Sequence, residues 1–238
     1  MLTGREVGKR ESNRLRVRQD LGFAAVRLFD ARGYDETTVD DIVAEAGVSR
    51  RTFFRHFPSK ADVLFYDHQE RLEAMEEALA EVPAERSALT ALSDLTEMVL
   101  PTFLEPADFF MARHRVLRAN EALRRREQAL GLAYTRALSR FLASRLESHP
   151  RGELLADLVA GATVTVVNRA QYEWAASGGE VDPVAATRAG MALVDEIFGR
   201  FVEPDRLAAA GQPTLLVISQ DGTIHPEVLE RLGRALSE

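Results

Sequence analysis

The stretch GVSRRTFFRHFPSK, residues 47–60, packs three arginines, three phenylalanines and a histidine between a glycine and a lysine. If it is helical, each residue advances by about 100° around the helix axis. Phe53 and Phe57 then fall within about 40° of each other, whereas Arg51 and Arg55 lie on the opposite side. The spacing therefore predicts a short helix that is anchored from behind by aromatic rings and turns a cationic face outward.

Two more helices are predicted before this stretch. The first carries apolar residues at intervals of three and four, and it stops at Gly33, a glycine suited to the position after a helix C-terminus. Its apolar positions are Leu21, Ala24, Ala25, Leu28 and Phe29. The second is short and begins after Thr37 or Thr38, either of which can cap it. Its inner face is formed by Val39, Ile42, Val43 and Ala46.

The second and third helices are separated by only a few residues. Gly47 ends the second helix, Ser49 can cap the third, and Pro58 blocks its continuation. Residues 13–57 are thus predicted to form three short helices, the last two joined by a tight turn. That arrangement is a helix-turn-helix.

The charge of the chain is unevenly distributed. The net charge is −7, yet residues 1–60 hold 12 basic residues against 9 acidic ones, and residues 61–238 hold 18 against 28. Such an asymmetry can orient the basic end toward a polyanion. Residues 5–18 are the most basic part, and two interpretations stay open for them, a DNA-reaching arm and a solvated segment.

Several classes of protein are disfavoured by composition. The chain has no cysteine, so disulfides and thiolate metal sites are excluded. The N-terminal segment lacks the apolar core of a signal peptide, and no stretch approaches the roughly 18 apolar residues of a membrane span. The five histidines form no metal-spaced pair, and neither a Gly-rich phosphate loop nor a nucleophile elbow occurs. We therefore expect a cytoplasmic protein that is not an enzyme, has no cofactor and has no membrane partner.

Residues 24–64, AAVRLFDARGYDETTVDDIVAEAGVSRRTFFRHFPSKADVL, resemble the TetR/AcrR family of bacterial transcriptional regulators. The family pattern is matched in all three predicted helices and in the turns between them. The matching residues are Ala25, Leu28, Phe29, Gly33, Tyr34, Thr37, Thr38, Ile42, Ala46, Gly47, Val48, Ser49, Phe57, Ser59 and Lys60. The resemblance covers about 50 of the 238 residues, and the remainder is similar only in being helical and of suitable length.

The resemblance implies a repressor-like homodimer whose third helix enters the major groove of an operator in double-stranded DNA. Nine positions carry over as DNA contacts. They are Thr38 and Lys60 for phosphates, Arg50, Arg51 and Thr52 for base edges, and Phe54 and His56 for the DNA backbone, with Ser49 and Arg55 on the same helix. Many members have a small residue in place of Arg51, and an arginine there can pair with guanine. Many have tyrosine in place of Phe54, so one phosphate hydrogen bond should be missing.

The rest of the chain is also predicted to be all-α. After Pro58, Ser59 can cap a fourth, long helix that carries Leu64, Leu72, Met75 and Leu79 on one stripe and runs until Pro83. Further helical segments are expected near 86–103, 107–119, 120–147, 152–177 and 183–201. We predict three parts: an arm and helix-turn-helix domain over 1–60, a helical ligand-binding and dimerisation bundle over 61–201, and a short extension over 202–238. The extension contains a β-like run and a short amphipathic helix, and its role is not predicted.

The last two helices are predicted to form the dimer surface, because small residues allow helices to approach closely. The residues expected there are Leu154, Leu158, Gly161, Ala162, Thr165, Met191, Val194 and Phe198. The alternative is that both helices are simply core.

A small-molecule pocket is implied by the resemblance, among the middle helices. The candidates by position are Phe103, Phe109, Phe110, Met111, His114, Tyr134, Asn168 and Tyr172. An apolar or aromatic effector is expected, and the arginines of MARHRVLRANEALRRRE, residues 111–127, could serve an acidic one or simply form a solvated face. The leading functional prediction is a ligand-released repressor. The alternative is a DNA-binding regulator that has no pocket and is controlled by a protein partner.

Overall fold

The structure is a computed structural model that describes residues 4–104 and 106–203, with side chains for residues 12–101, 104 and 106–203. All the regular elements in these ranges are helical. The α-helices are α1 Gly4–Arg32, α2 Val39–Glu45, α3 Arg50–His56, α4 His68–Ala80, α5 Ala88–Leu104, α6 Ala107–Ala119, α7 Glu121–Arg145, α8 Gly152–Ala176 and α9 Pro183–Val202. The predicted all-α class and the five later helical segments are confirmed. The tail predicted over 202–238 lies outside the described residues beyond residue 203.

The first three helices form the predicted helix-turn-helix, although α1 is longer than expected and begins at Gly4. Thr38 and Ser49 each cap a helix by accepting a backbone N–H, from Asp41 and Thr52 respectively. Gly47, between α2 and α3, has φ +66°, in the left-handed region that side-chain-bearing residues rarely adopt. Local capping and one glycine therefore set the turn between the two helices.

The core behind α3 contains the two phenylalanines that the spacing places there. Phe53 and Phe57 are both almost completely buried, against apolar residues of α1 and α2. Val116 and Leu117 of α6 belong to the same cluster, so this core extends beyond the first three helices.

The region after α3 differs from the single long helix that the apolar spacing of residues 64–79 suggests. A 3₁₀ helix spans Lys60–Phe65, and α4 starts only at His68. The Tyr66 ring lies over Gly22 of α1, where an added Cβ would come within 2.4 Å of the ring. The chain thus winds more tightly where it docks against α1, and this contact between distant residues is invisible in the local pattern.

The larger part of the bundle is built by α4, α5, α7, α8 and α9 around a second apolar cluster. Helix α8 packs between α7 and α9, and α5 also packs against α9. A small third cluster joins α5, α6 and α8 through Leu100, Leu104, Phe110 and Trp174. None of the helices among the described residues combines the length and apolar character needed to cross a membrane.

Candidate nucleic-acid interface and ligand cavity

The outward side of α3 carries the predicted cationic face. Arg51 and Arg55 are exposed, and neither has a hydrogen-bond or ion-pair partner among the described residues. The first turn of α3 contains no acidic residue, so its positive dipole end is not neutralised. This face can therefore accept a polyanion without first breaking internal contacts.

Arg50 and Phe54 lie beside these arginines on α3. Arg50 Nη1 lies 2.8 Å from Asp40 Oδ1, and its guanidinium carbon lies 5.3 Å from the centre of the Phe54 ring. Phe54 is 46% exposed, so its ring is accessible from solvent beside the arginines. Arg50 is thus held by α2, whereas Arg51 is not held.

Of the three hydroxyl-bearing candidates, Thr38 and Ser49 cap helices, and Thr52 is the residue that Ser49 bonds. Thr38 Oγ1 and its backbone N–H both donate to Asp41, and these hydrogen bonds lower the pKa of that carboxyl below its usual value. The Ser49 hydroxyl bonds the Thr52 hydroxyl at 3.0 Å as well as the Thr52 backbone N–H. All three side chains lie at helix starts, where exposed N–H groups can also meet phosphates.

Lys60 has a structural role that the sequence did not reveal. Its Nζ donates to the backbone carbonyls of Tyr34 at 2.7 Å and Thr37 at 2.9 Å, and it lies 4.1 Å from the centre of the Tyr34 ring. Two of its three donors are thus occupied, and only the third is available to a phosphate.

His56, one of the predicted DNA contacts, is partly buried at the end of α3. Its Nε2 is shielded from solvent and has no hydrogen-bond partner. Burial lowers the pKa of His56, and the nearby Arg55 and Arg18 lower it further, so the ring is uncharged near neutral pH. The ring nitrogen that can contact an anion is therefore Nδ1.

Arg18 of α1 joins three parts of the fold. It donates to the carbonyl of His56, the last residue of α3, at 3.2 Å, and through Nε to the carbonyl of Tyr66 at 3.1 Å. Its Nε also lies 3.3 Å from Glu70 Oε1 on α4, and its guanidinium carbon lies 5.0 Å from the centre of the Phe57 ring. Arg18 thus fixes the end of α3 to the start of the bundle.

A cavity of about 480 Å³ lies within the bundle, a size typical of small-molecule sites. Five predicted pocket residues line it: Phe110, His114, Tyr134, Asn168 and Tyr172. Phe109 does not, because it packs against Phe23 and Tyr66. Met111 does not either, since it packs with the cluster around Trp174. The side chain of Phe103 lies outside the described residues.

The cavity wall also holds polar residues that the sequence analysis did not single out. The residues Asp67, His68 and Arg71 come from the start of α4 and the turn before it. Tyr134 donates from its hydroxyl to the carbonyl of His68 at 3.3 Å, and burial raises the pKa of Tyr134 to about 12. No local pattern marks the contact between Tyr134 and His68, because the two residues are 66 positions apart along the chain.

The three partly buried histidines predict a pH dependence of stability. Burial lowers the pKa of His56, His68 and His114 below the ordinary value of 6.5. The unfolded chain therefore binds more protons than the folded one below pH 6.5, and the free energy of unfolding should fall as the pH drops. Urea denaturation at pH 7.5 and 5.5 measures this, and His68→Gln should reduce the difference. Equal or greater stability at pH 5.5 would contradict it.

The predicted dimer residues divide into two groups. Leu154, Leu158 and Thr165 are exposed, and Gly161 and Ala162 are partly exposed on the same helix. Met191 and Val194 are only 3% and 4% exposed because they belong to the apolar cluster of the bundle, and Phe198 packs against that cluster. The exposed apolar residues of α9 are instead Leu193, Ile197 and Phe201.

Within the described part of the chain, no group of three or more histidines and carboxylates is placed to hold a metal ion. The main features of the described residues are a cationic face on α3, exposed apolar residues on α8 and α9, and a partly open cavity within the bundle.

Comparison with known proteins agrees with this architecture. The family described as bacterial regulatory proteins, tetR family, matches residues 24–66. The HTH-type transcriptional regulator TcmR of Streptomyces glaucescens is 36% identical over 149 residues, which cover 58% of this chain and 64% of TcmR. The chain therefore spans less than two thirds of the length of this relative.

Solved structures show the same fold at low sequence identity. FadR from Bacillus subtilis in complex with stearoyl-CoA has a TM-score of 0.55 at 20% identity, over 74% of this chain and 96% of that one. SmeT of Stenotrophomonas maltophilia, solved with triclosan, has a TM-score of 0.55 at 17% identity, over 76% and 90%. The helix-turn-helix of residues 24–66 thus matches the tetR family of bacterial regulatory proteins, and the solved structures share the fold of the chain.

Proposed function

We propose that the protein is a homodimeric transcriptional regulator that acts as a repressor on operator DNA in the cytoplasm and is released by a small molecule. The observation that carries this proposal is the unpaired cationic face of α3, with Arg51 and Arg55 exposed beside the exposed Phe54 ring. Arginines specify bases through the major groove, and the exposed ring can contact sugar or a thymine methyl.

A dimer is required because one short helix reads too few base pairs. Two recognition helices about 34–36 Å apart can meet successive major grooves on one side of DNA. The exposed leucines of α8 and the exposed apolar residues of α9 supply a surface for a two-fold four-helix contact. In this proposal, Leu193 and Ile197 take the place of the buried Met191 and Val194.

The cavity supports control by a small molecule. Its volume suits a drug-sized ligand, and two proteins of the same fold were solved in complex with stearoyl-CoA and with triclosan. A ligand that binds one conformation of the dimer better than the other shifts the population and weakens DNA binding. This cavity favours small-molecule control over control by a protein partner alone.

The proposal is tested by selecting genomic fragments that bind the purified protein. We expect enrichment of an inverted repeat with half-sites about one helical turn apart. Binding should weaken steeply as salt rises, because phosphate contacts release counterions. Failure to enrich any duplex sequence at low salt would overturn the proposal.

Arg51 is expected to read a base. Arg51→Ala should relax the sequence preference at one base pair per half-site, at a cost of about 1–3 kcal/mol in operator binding. Fluorescence anisotropy with the operator and single-base variants measures this. Arg125→Ala, which removes another exposed arginine on α7, is the matched control and should change nothing. An equal loss of affinity for the operator and for all its variants would show that Arg51 contacts a phosphate instead.

A further inference from the structure

One cation in the cavity wall lacks a counterion of its own. Arg113 of α6 lies between two aromatic rings, with its guanidinium carbon 5.9 Å from the centres of both Phe65 and Phe110. Its Nε is shielded from solvent and has no hydrogen-bond partner. The carboxylate that pairs with Arg113 is that of Asp67. Its Oδ1 lies 3.8 Å from Arg113 Nη1, which is too far for a hydrogen bond.

That carboxylate is already engaged elsewhere. The other oxygen of Asp67 lies 2.6 Å from Arg71 Nη2, an ion pair rather than a well-aligned hydrogen bond. Arg113 is therefore a partly desolvated cation that shares a distant carboxylate with a closer competitor. A buried charge of this kind is costly unless a further acceptor reaches it.

The charge balance of the wall points the same way. Among the described residues that line the cavity, four are arginines and two are carboxylates: Arg71, Arg113, Arg118 and Arg124 against Asp67 and Glu127. His68 and His114 add no charge near neutral pH, since burial lowers both pKa values. The wall thus carries an excess of about two positive charges.

The uncharged part of the wall combines apolar and aromatic side chains with the hydroxyl and amide groups of Thr96, Gln128, Thr135, Thr163, Asn168 and Gln171. Aliphatic side chains come from α4, α5, α7 and α8, with Met75, Leu95, Val99, Leu138 and Val167 among them. His114 lies 5.6 Å from Tyr172 between ring centres, and His68 lies 5.1 Å from Tyr134. A complementary ligand has an extensive apolar or aromatic body and one acidic oxygen group.

We propose that Arg113 is the anion-recognition residue of this cavity and that the effector is an amphipathic organic acid whose ionised oxygen pairs with the guanidinium. The inference rests on the proposed function and names the chemical class of its effector. The carboxylate of Asp67 stays with Arg71, and the ligand oxygen occupies the donors that Arg113 leaves unused.

The test uses two fluorescent probes that differ in one anionic group. 8-Anilinonaphthalene-1-sulfonate and N-phenyl-1-naphthylamine share an arylaminonaphthalene body, and only the first carries a sulfonate. Fluorescence titration of the full chain without DNA should give tighter binding of the anionic probe, by about tenfold or more. Equal or tighter binding of the neutral probe would overturn the proposal.

Three variants locate the effect. Arg113→Met should weaken the anionic probe by about 10- to 100-fold and leave the neutral probe within about twofold. Gly131 lines the cavity, and a Cβ there meets nothing within 4 Å, so the ring of Gly131→Phe has room to fill the cavity. This variant should therefore abolish binding of both probes. Arg125→Met, an exposed arginine outside the cavity, should change neither.

Two outcomes count against Arg113. Equal loss of both probes in a folded Arg113→Met variant would make the residue structural, and unchanged anionic binding in Gly131→Phe would place the probe outside the cavity. If circular dichroism shows that Arg113→Met is unfolded, Arg113→Gln serves in its place and should show the same selective loss; failure to do so would also overturn the proposal.

The probe titrations are independent of the DNA selection. A chain that prefers the anionic probe through Arg113 but enriches no duplex keeps this site and loses the proposed regulatory function. A chain that enriches an operator but shows no probe preference keeps the regulatory function and loses the proposed effector class.

Discussion

Leu158→Glu should convert the protein into a folded monomer that no longer holds its operator. Leu158 is 48% exposed on α8, in the middle of the apolar surface proposed for dimerisation. A two-fold axis places every substitution at the interface twice. Loss of two leucine contacts, each about 1.5–3 kcal/mol, should raise the dimer dissociation constant by about a hundredfold or more. Sedimentation equilibrium measures the constant directly.

Met98→Glu is the matched control for this prediction. Met98 is an apolar residue of α5 that is 62% exposed, and it lies outside α8 and α9. We expect it to leave the dimer intact. A Leu158→Glu protein that sediments as an undiminished dimer would show that the subunits meet through another surface.

Arg18→Met should lower the free energy of unfolding by about 3 kcal/mol. The substitution removes hydrogen bonds from a charged donor to the carbonyls of His56 and Tyr66, and it leaves the carboxylate of Glu70 without this cation. Hydrogen bonds to charged groups contribute about 1.5–3 kcal/mol each, and part of this is recovered by the apolar replacement. Urea denaturation followed by circular dichroism measures the change.

Arg16→Met separates this effect from a general loss of charge on α1. Arg16 is exposed and bonds Asn13 alone among the described residues, so its replacement should change the free energy of unfolding by no more than about 0.5 kcal/mol. Operator affinity should fall in Arg18→Met alone, because the end of α3 is no longer fixed. Similar stability for the two variants would mean that the Arg18 contacts contribute little.

The helix-turn-helix could be predicted from the sequence because its signals are local. The spacing of Phe53 and Phe57, the glycine at 47 and the cap at Ser49 each act within a few residues. The helices of the bundle could also be predicted from local signals, since most of their ends lie at or near prolines, glycines or capping residues. Periodicity and capping depend only on near neighbours in the chain.

The parts that were missed depend on distant contacts. Lys60 bonds carbonyls 23 and 26 residues away, and Arg18 reaches across 38 and 48 residues. On α9, the residues Met191 and Val194 form one apolar stripe, and Leu193 and Ile197 form another. The stripe that is buried depends on how α5 and α8 pack against α9. The spacing of residues within α9 does not indicate which of the two stripes that is.

Helix α6 packs against the helix-turn-helix and also lines the cavity. Its Val116 and Leu117 pack in the core behind the recognition helix, and its Arg115 Nε donates to Asp30 of α1 at 2.9 Å. The same helix turns Phe110 and Arg113 toward the cavity. Helices commonly slide by about 1–2 Å in switching proteins. A slide of α6 would move its contacts with the helix-turn-helix and its side of the cavity together. A displacement at the cavity can thus reach the helix-turn-helix through α6 moving as a rigid helix, without unfolding of any segment between the two.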